Sequence, residues 1–344
     1  MSYPLTPPIQ PMLARAAADI PQGEWRYEPK WDGFRAIVYR DSDRIHIGSR
    51  NALPLERYFP ELLDPLLTAL PDRCVVDGEI VIATSQGLDF DALQMRLHPA
   101  ESRVRMLAAR TPASTVLFDI LALGDDDLRP RPLAERRALL CDSIAADRVV
   151  GITPQTDSAE RATDWFTQYE GAGLDGVVAK QPAQPYLPGE RGWIKVKHLR
   201  TVDCVVGGFR EGKGGPASLG SLLLGLYQDG VLHHVGHTSS FSAAERREVR
   251  RQLEPLVGGE SFVFSQGRTP GGPSRWARDM DLTWVSVKPE LVCEVSFDHL
   301  QGRRFRHASR FIRWRPDKSP TDCTFEQLAP PEHFALEDIV VTGR

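Results

Sequence analysis

Glu28-Pro29-Lys30-Trp31-Asp32-Gly33-Phe34-Arg35 is the stretch on which the reading of the chain turns. Trp25 and Tyr27 lead into it, and Phe34-Arg35-Ala36-Ile37-Val38-Tyr39 leaves it with the two-residue alternation of a strand. It holds a lysine, two carboxylates, a glycine and an arginine. A lysine between acids is ordinarily a solvated loop charge. The alternative is a nucleophilic amine whose neighbours orient its target. The stretch alone leaves both open.

The rest of the chain bounds the choice. At 344 residues it is long for one core and comfortable for two domains. Hydrophobic residues at 41% and charged residues at 26% describe an ordinary soluble globular protein. No apolar run approaches the roughly 20 residues of a membrane helix, and Met1-Ser2-Tyr3-Pro4 lacks an export pattern, so a cytoplasmic protein is expected. Cys74, Cys141, Cys204, Cys293 and Cys323 are scattered without metal spacing and are expected to be buried thiols in a reducing compartment. The net charge of −4 confines any polyanion site to a local patch.

Residues 1–24 are proline-rich and read as an extended lead-in with no separate N-terminal domain. Between Trp25 and about Lys197, strands are expected at 34–40, 44–48, 74–83, 114–123, 149–153, 175–180 and 193–197. Helices are expected at 55–70, 133–145 and 158–169. Beyond Arg200 the pattern changes to short β runs (202–209, 222–227, 291–297, 308–314) with glycine-rich turns such as Gly212-Lys213-Gly214-Gly215, and one helix at 242–256. That texture suits a small β-barrel.

Several clusters carry possible chemistry. Arg50 follows a short strand. Val75-Val76-Asp77-Gly78-Glu79-Ile80-Val81-Ile82 sets two acids and a glycine in apolar sequence, which by itself reads as a hairpin turn with solvated acids. Phe118 in Val116-Leu117-Phe118-Asp119-Ile120-Leu121 reads as core. Asp175-Gly176-Val177-Val178-Ala179-Lys180 is an acid-glycine-apolar-lysine strand. In Arg191-Gly192-Trp193-Ile194-Lys195-Val196-Lys197 the alternation puts Lys195 and Lys197 on one face, opposite an aromatic and aliphatic set. A solvent-facing pair is the ordinary reading. With Arg35, Arg50 and carboxylates at 32, 79 and 175, the set also fits a nucleoside triphosphate and Mg²⁺. Arg303, Arg304, Arg306, Arg310, Arg313, Arg315 and Lys318 read as a polyanion-facing basic edge; a solvated basic face fits Arg303 to Arg310 as well, and fits 311–318, where apolar residues interleave, less well.

In order along the chain these stretches resemble the nucleotidyltransferase motifs of ATP-dependent DNA ligases and mRNA capping enzymes. Lys30-Trp31-Asp32-Gly33-Phe34-Arg35 matches motif I, Arg50 motif Ia, Asp77-Gly78-Glu79 motif III and Phe118-Asp119 motif IIIa. Asp175 to Lys180 matches motif IV, Trp193 to Lys197 motif V, and Arg313-Trp314-Arg315-Pro316-Asp317-Lys318 motif VI. Each is weak alone; seven in order are specific. Asp175 stands where glutamate is usual, and Ala52 where glycine often follows motif Ia. The wording, with Pro11-Met12-Leu13-Ala14, is most similar to the bacterial accessory ligases of the C or D type.

The resemblance implies an α+β protein: an ATP-grasp-like nucleotidyltransferase (adenylation) domain over residues 25–199, then a C-terminal OB-fold β-barrel over 200–344. It implies that Lys30 attacks the α-phosphorus of ATP, its neutral amine favoured by burial and by Lys195, Lys197 and Arg35. Glu28 would meet the adenine amino group, Phe118 stack on the base, and Arg35 and Arg50 contact sugar or phosphates. Lys195 and Lys197, with Arg191 nearby, would hold the α-phosphate; Arg315 and Lys318 would orient the leaving pyrophosphate. Asp32, Glu79 and Asp175 would serve Mg²⁺ or Mn²⁺. The implied substrate is nicked double-stranded DNA, with a repair polymerase as partner, no membrane, a monomeric state and a nucleoid-associated location. An RNA ligase, a capping-type guanylyltransferase and an inactive nucleic-acid-binding barrel are the alternatives.

Overall fold

The computed structural model describes residues 3–85, 87–198, 200–212, 215–262, 283–298 and 300–328. The chain forms two compact units, Met1–His198 and Leu199–Ala329.

The first unit is built on two sheets. In the larger, five strands run in the order Val150–Ile152, Ser114–Leu123, Arg73–Val81, Phe34–Asp41 and Arg44–Ser49, antiparallel except for the parallel pairing of Val150–Ile152 with Ser114–Leu123. The smaller has the order Ala14–Ala17, Trp193–Lys197, Gly176–Lys180, Arg26–Pro29. Strand alternation sends Ala36, Val38, Val76 and Leu117 to one core and Ile37, Tyr39, Val75 and Phe118 to another. The second core also takes Met12, Tyr186 and Trp193, so the larger sheet is buried on both faces and faces the smaller one. Ile194 and Val196 point the other way, into a cluster with Ala162 of the Ala159–Gln168 helix.

The second unit is an antiparallel sheet ordered Val231–Thr238, Gly215–Gln228, Arg200–Gly212, Val292–Phe297, Arg310–Trp314. A bridge from Thr238 to Ser309 brings the two edge strands together, the closure that makes a barrel. The Ala243–Leu253 helix is started by a capping box, Ser242 with Glu245.

Several expectations need correction. The 55–70 helix is two 3-10 turns, Glu56–Tyr58 and Pro60–Leu62, before a helix at Leu63–Ala69, because Pro60 pushes Phe59 out of the helical region (φ −133°, ψ 55°). Asp77-Gly78-Glu79 is no turn. It lies inside the continuous Arg73–Val81 strand, where Asp77 is wholly buried and the register to Ser114–Leu123 shifts between Asp77 and Gly78. Trp193 shares a face with Lys195 and Lys197, as a two-residue period requires. The helices Phe90–Arg96 and Glu101–Arg110 and the strand Val231–Thr238 were not legible, and strands Ala14–Ala17 and Arg26–Pro29 hid in proline-interrupted sequence. Cys141 is exposed; the other four thiols are buried and free. At the basic edge, a register shift between Glu294 and Val295 leaves Ile312 beside Phe311 and turns it to solvent, breaking the expected alternation. Lys213 and Gly214 of the expected turn and residues 329–344 of the second domain lie outside the described residues.

Candidate active site

The facing surfaces of the two sheets carry the polar residues that the apolar pattern leaves over. Lys30 is fixed at the mouth of this layer by its backbone: its N–H donates to the Gly176 carbonyl at 2.8 Å, and its carbonyl accepts from the Asp175 N–H at 2.9 Å. Two glycines make the close approach possible. A Cβ on Gly33 would meet the Ile80 carbonyl oxygen at 2.2 Å, and one on Gly176, whose φ is +133°, would meet the Val196 carbonyl oxygen at 2.0 Å.

The Lys30 Nζ lies 2.7 Å from Asp175 Oδ2, and Lys197 Nζ reaches the same oxygen at 2.7 Å. Burial opposes the charge on Lys30, but Asp175, with Glu79 and Asp32 behind it, outweighs burial and raises the amine above its ordinary value. This overturns the expectation that neighbouring cations favour a neutral amine in the free enzyme. Lys195 behaves in the opposite way. Its amine is lowered by burial, then by Lys197 and Lys30, with Arg50 adding to the effect. Arg50 and Arg191 are exposed and make no hydrogen bond or ion pair among the described residues.

Deeper between the sheets sits a second polar group. Glu28 is 2% exposed; its Oε2 pairs with Lys180 Nζ at 2.7 Å and its Oε1 accepts from Gln155 Nε2 at 2.8 Å. The Lys180 ammonium lies over the rings of Phe118 (4.7 Å) and Trp193 (4.2 Å). Arg35 covers Phe118 from 4.4 Å and forms a bidentate pair with Asp77, Nε to Oδ1 at 2.6 Å and Nη2 to Oδ2 at 2.5 Å. The Tyr186 hydroxyl donates to Asp77 Oδ2 at 2.6 Å. Gln155 and Tyr186 carry no signal in sequence, and Asp77 and Lys180, quoted within motifs III and IV, take no role of their own there; a charge in an apolar strand is the one available signal of their burial.

The Glu79 side chain makes no hydrogen bond or ion pair among the described residues, and burial pushes its carboxyl up to about 7 against the pull of Arg35 and Lys30. Among the described residues, no three His, Cys, Asp or Glu side chains converge as a metal cage. The expected carboxylate trio is therefore not a closed site, and Asp175 is already spent on two ammonium groups. Glu79 does suit a hard cation, which would stabilise its charged form, in the open, mostly substrate- and water-ligated manner of Mg²⁺.

In the second unit, Arg315 and Lys318 both reach Asp203, Arg315 Nη1 at 3.0 Å from each oxygen and Lys318 Nζ at 3.1 Å from Oδ2. Arg315 also pairs with Asp317, and Arg313 with Glu294 at 2.6 Å.

A lysine paired with a carboxylate among further cations, a buried aromatic flanked by charge, and a following barrel are the parts of a covalent nucleotidyltransferase. Residues 11–197 match the model of the ATP dependent DNA ligase domain and residues 216–318 that of the ATP dependent DNA ligase C terminal region; the chain belongs to the ATP-dependent DNA ligases, of the accessory bacterial type. It is 51% identical to DNA ligase C of Mycobacterium tuberculosis, over 99% of both chains, and 49% identical to DNA ligase C2 of Mycolicibacterium smegmatis, over 97% of this chain and 98% of that one. A solved Lig E DNA ligase shares the fold at a TM-score of 0.56 and 19% identity, covering 88% of this chain and 99% of that one. The family uses ATP and a divalent metal such as Mg²⁺. No helix among the described residues is long and apolar enough to cross a membrane.

Proposed function

We propose that the chain seals 3′-OH/5′-phosphate nicks in double-stranded DNA through a lysyl-AMP at Lys30 and a DNA-adenylate, in DNA repair. The observation that carries this is two lysine amines, Lys30 and Lys197, paired with one carboxylate, Asp175, with a third amine, Lys195, near enough to feel the charge of both. Such a cluster is short of negative charge, and the α-phosphate of ATP supplies it. The Lys30 ammonium releases a proton to water, its lone pair forms the P–N bond at the α-phosphorus as the bond to pyrophosphate breaks with its electrons on the leaving group, and the new P–N nitrogen releases a second proton to water. A DNA 5′-phosphate oxygen then attacks the same phosphorus and frees the lysine. The 3′-hydroxyl finally attacks the 5′-phosphate and AMP departs.

In this reading Lys195 and Lys197 take the α-phosphate oxygens, with Arg50 and Arg191 at the rim, and Asp175 takes up the role of orienting the Lys30 amine. Glu28 accepts from the adenine amino group, which a guanine carbonyl cannot provide, and Phe118 stacks on the base with Arg35 beyond it. Arg315 and Lys318 orient pyrophosphate. Glu79 and Asp32 would hold the divalent metal, which when bound offsets phosphate charge. Incubation with labelled ATP or GTP should give an acid-labile covalent label from ATP alone. No label, or one from GTP, overturns the reading, and nicked DNA against nicked RNA then decides the polymer. A polymerase handing over the nick, a monomeric state and a cytoplasmic, nucleoid-associated location complete the proposal.

Two measurable consequences follow here. Glu79 should make stability pH-dependent. Between its ordinary value of 4.5 and about 7, the native carboxyl keeps a proton that the unfolded chain has released. Stability relative to Glu79→Gln therefore falls as pH rises through that window and levels off above it. Urea midpoints of both proteins at pH 5 and pH 8 test this; an equal gap at the two pH values refutes it. Second, binding through the basic edge should weaken with salt, with a log–log slope of about −0.9 for each phosphate neutralised. Affinity for nicked duplex that is constant between low and moderate salt would remove Arg303 to Lys318 from the interface.

A further inference from the structure

We infer that Asp203 is a positioning residue for the first nucleotidyl transfer, acting through Arg315 and Lys318; this rests on the pyrophosphate role proposed for those two cations. Asp203 lies on the Arg200–Gly212 strand, 7% exposed, and both its oxygens are engaged by the two cations. Its backbone is held on two sides. The strand pairs Asp203 with Glu294, and the Gln327 side chain clamps it, accepting from the Asp203 N–H and donating to its carbonyl, each at 3.2 Å. The motif that follows is held as well: the Arg315 N–H donates to the Val292 carbonyl at 2.8 Å and the Lys318 N–H to the Arg315 carbonyl at 3.2 Å.

The arrangement makes physical sense for a phosphate grip. Free Arg and Lys side chains carry rotamer entropy that binding must remove. Holding both on one buried carboxylate with a clamped backbone, with Asp317 also bonded to Arg315, removes much of that cost beforehand, while their side chains stay 20% and 25% exposed and can meet an anion. A fixed pair of cations then neutralises the charge that collects on pyrophosphate as the bond from the α-phosphorus breaks. A carboxylate that merely restrained the two cations would slow this step. One that orients them speeds it.

The test uses the full chain carrying Asp203→Asn, which keeps shape and one acceptor oxygen. Single-turnover formation of lysyl-AMP from ATP should fall about 10–100-fold, the usual loss when a residue supporting a functional group is altered. Sealing of a pre-adenylated nick, from which no pyrophosphate leaves, should fall at least tenfold less. In an Arg315→Ala/Lys318→Ala background, Asp203→Asn should cost nothing further. Equal losses in both assays mark a structural role, and an unchanged or faster first step marks no role or a restraint; each overturns the inference. Normal lysyl-AMP formation by Arg315→Ala/Lys318→Ala alone overturns instead the pyrophosphate role on which it rests.

Discussion

Lys30→Ala should abolish the covalent nucleotide label and lower sealing of an ordinary nick below about a thousandth of wild type, a barrier increase of at least roughly 4 kcal/mol. The reason is chemical rather than structural. The backbone at position 30 is held through the Gly176 carbonyl and the Asp175 N–H, which alanine retains. Asp175 keeps Lys197 at 2.7 Å, so the substitution strands no buried charge. The melting temperature should stay within a few degrees of wild type. Lys30→Arg separates charge from nucleophilicity. Its guanidinium can still pair with Asp175 but remains protonated and cannot attack phosphorus. It should be as inactive as alanine in forming the label. A pre-adenylated nick supplies the product of the lysine's chemistry, so both variants should seal it far better than they seal an ordinary nick. Label persisting in either variant would move the nucleophile elsewhere.

The part of the site legible in sequence is the part encoded by short-range order. Lys30 is three residues from Gly33, Asp175 adjoins Gly176, and Lys195 and Lys197 are separated by one strand period; these spacings are visible without a fold. Their partners are not. Gln155 reaches Glu28 across 127 residues, Tyr186 reaches Asp77 across 109, and Arg315 reaches Asp203 across 112. No periodicity connects such pairs, because sheet order rather than sequence order makes them neighbours. The same limit explains Arg35. Its motif position suggested sugar or phosphate, whereas the strand pairing of Phe34–Asp41 with Arg73–Val81 brings it to Asp77 in the free protein. It also explains the protonation of Lys30. The cations were visible at 195 and 197, but which of the charges touches the amine is a matter of distance, and Asp175 is the one at 2.7 Å. Fold class was easier, since alternation and glycine placement report burial locally. Some of the elements missed have a local reason, proline at the end of Arg26–Pro29 and charged residues interrupting the apolar pattern of Glu101–Arg110, whereas the strand Val231–Thr238 has neither.

Asp77→Ala should destabilise the first unit by about 3–5 kcal/mol, the usual result of removing one partner of a buried ion pair. Exposed pairs such as Arg105–Glu101, with both side chains more than 70% exposed, contribute at most about 1 kcal/mol and offer no guide. Asp77 differs in having no solvent exposure and three charge-assisted hydrogen bonds, two from Arg35 and one from Tyr186. Alanine would leave the Arg35 guanidinium between the rings of Phe118 (4.4 Å) and Trp193 (5.1 Å) without a counter-charge. The Tyr186 hydroxyl would lose its acceptor while still receiving the Met12 N–H at 2.9 Å. Because Met12 belongs to the lead-in and Tyr186 to the segment before Trp193–Lys197, the damage should spread across the layer between the sheets. Urea denaturation would show the loss as a lower midpoint with unchanged slope. Removing both charges tests the cause. In Arg35→Met/Asp77→Ala an apolar chain replaces the stranded guanidinium, and at least about 2 kcal/mol of the loss should return. If the double variant is no more stable than Asp77→Ala, the uncompensated arginine is not the origin of the loss. If Asp77→Ala costs under about 1 kcal/mol, Asp77 does not organise the layer at all.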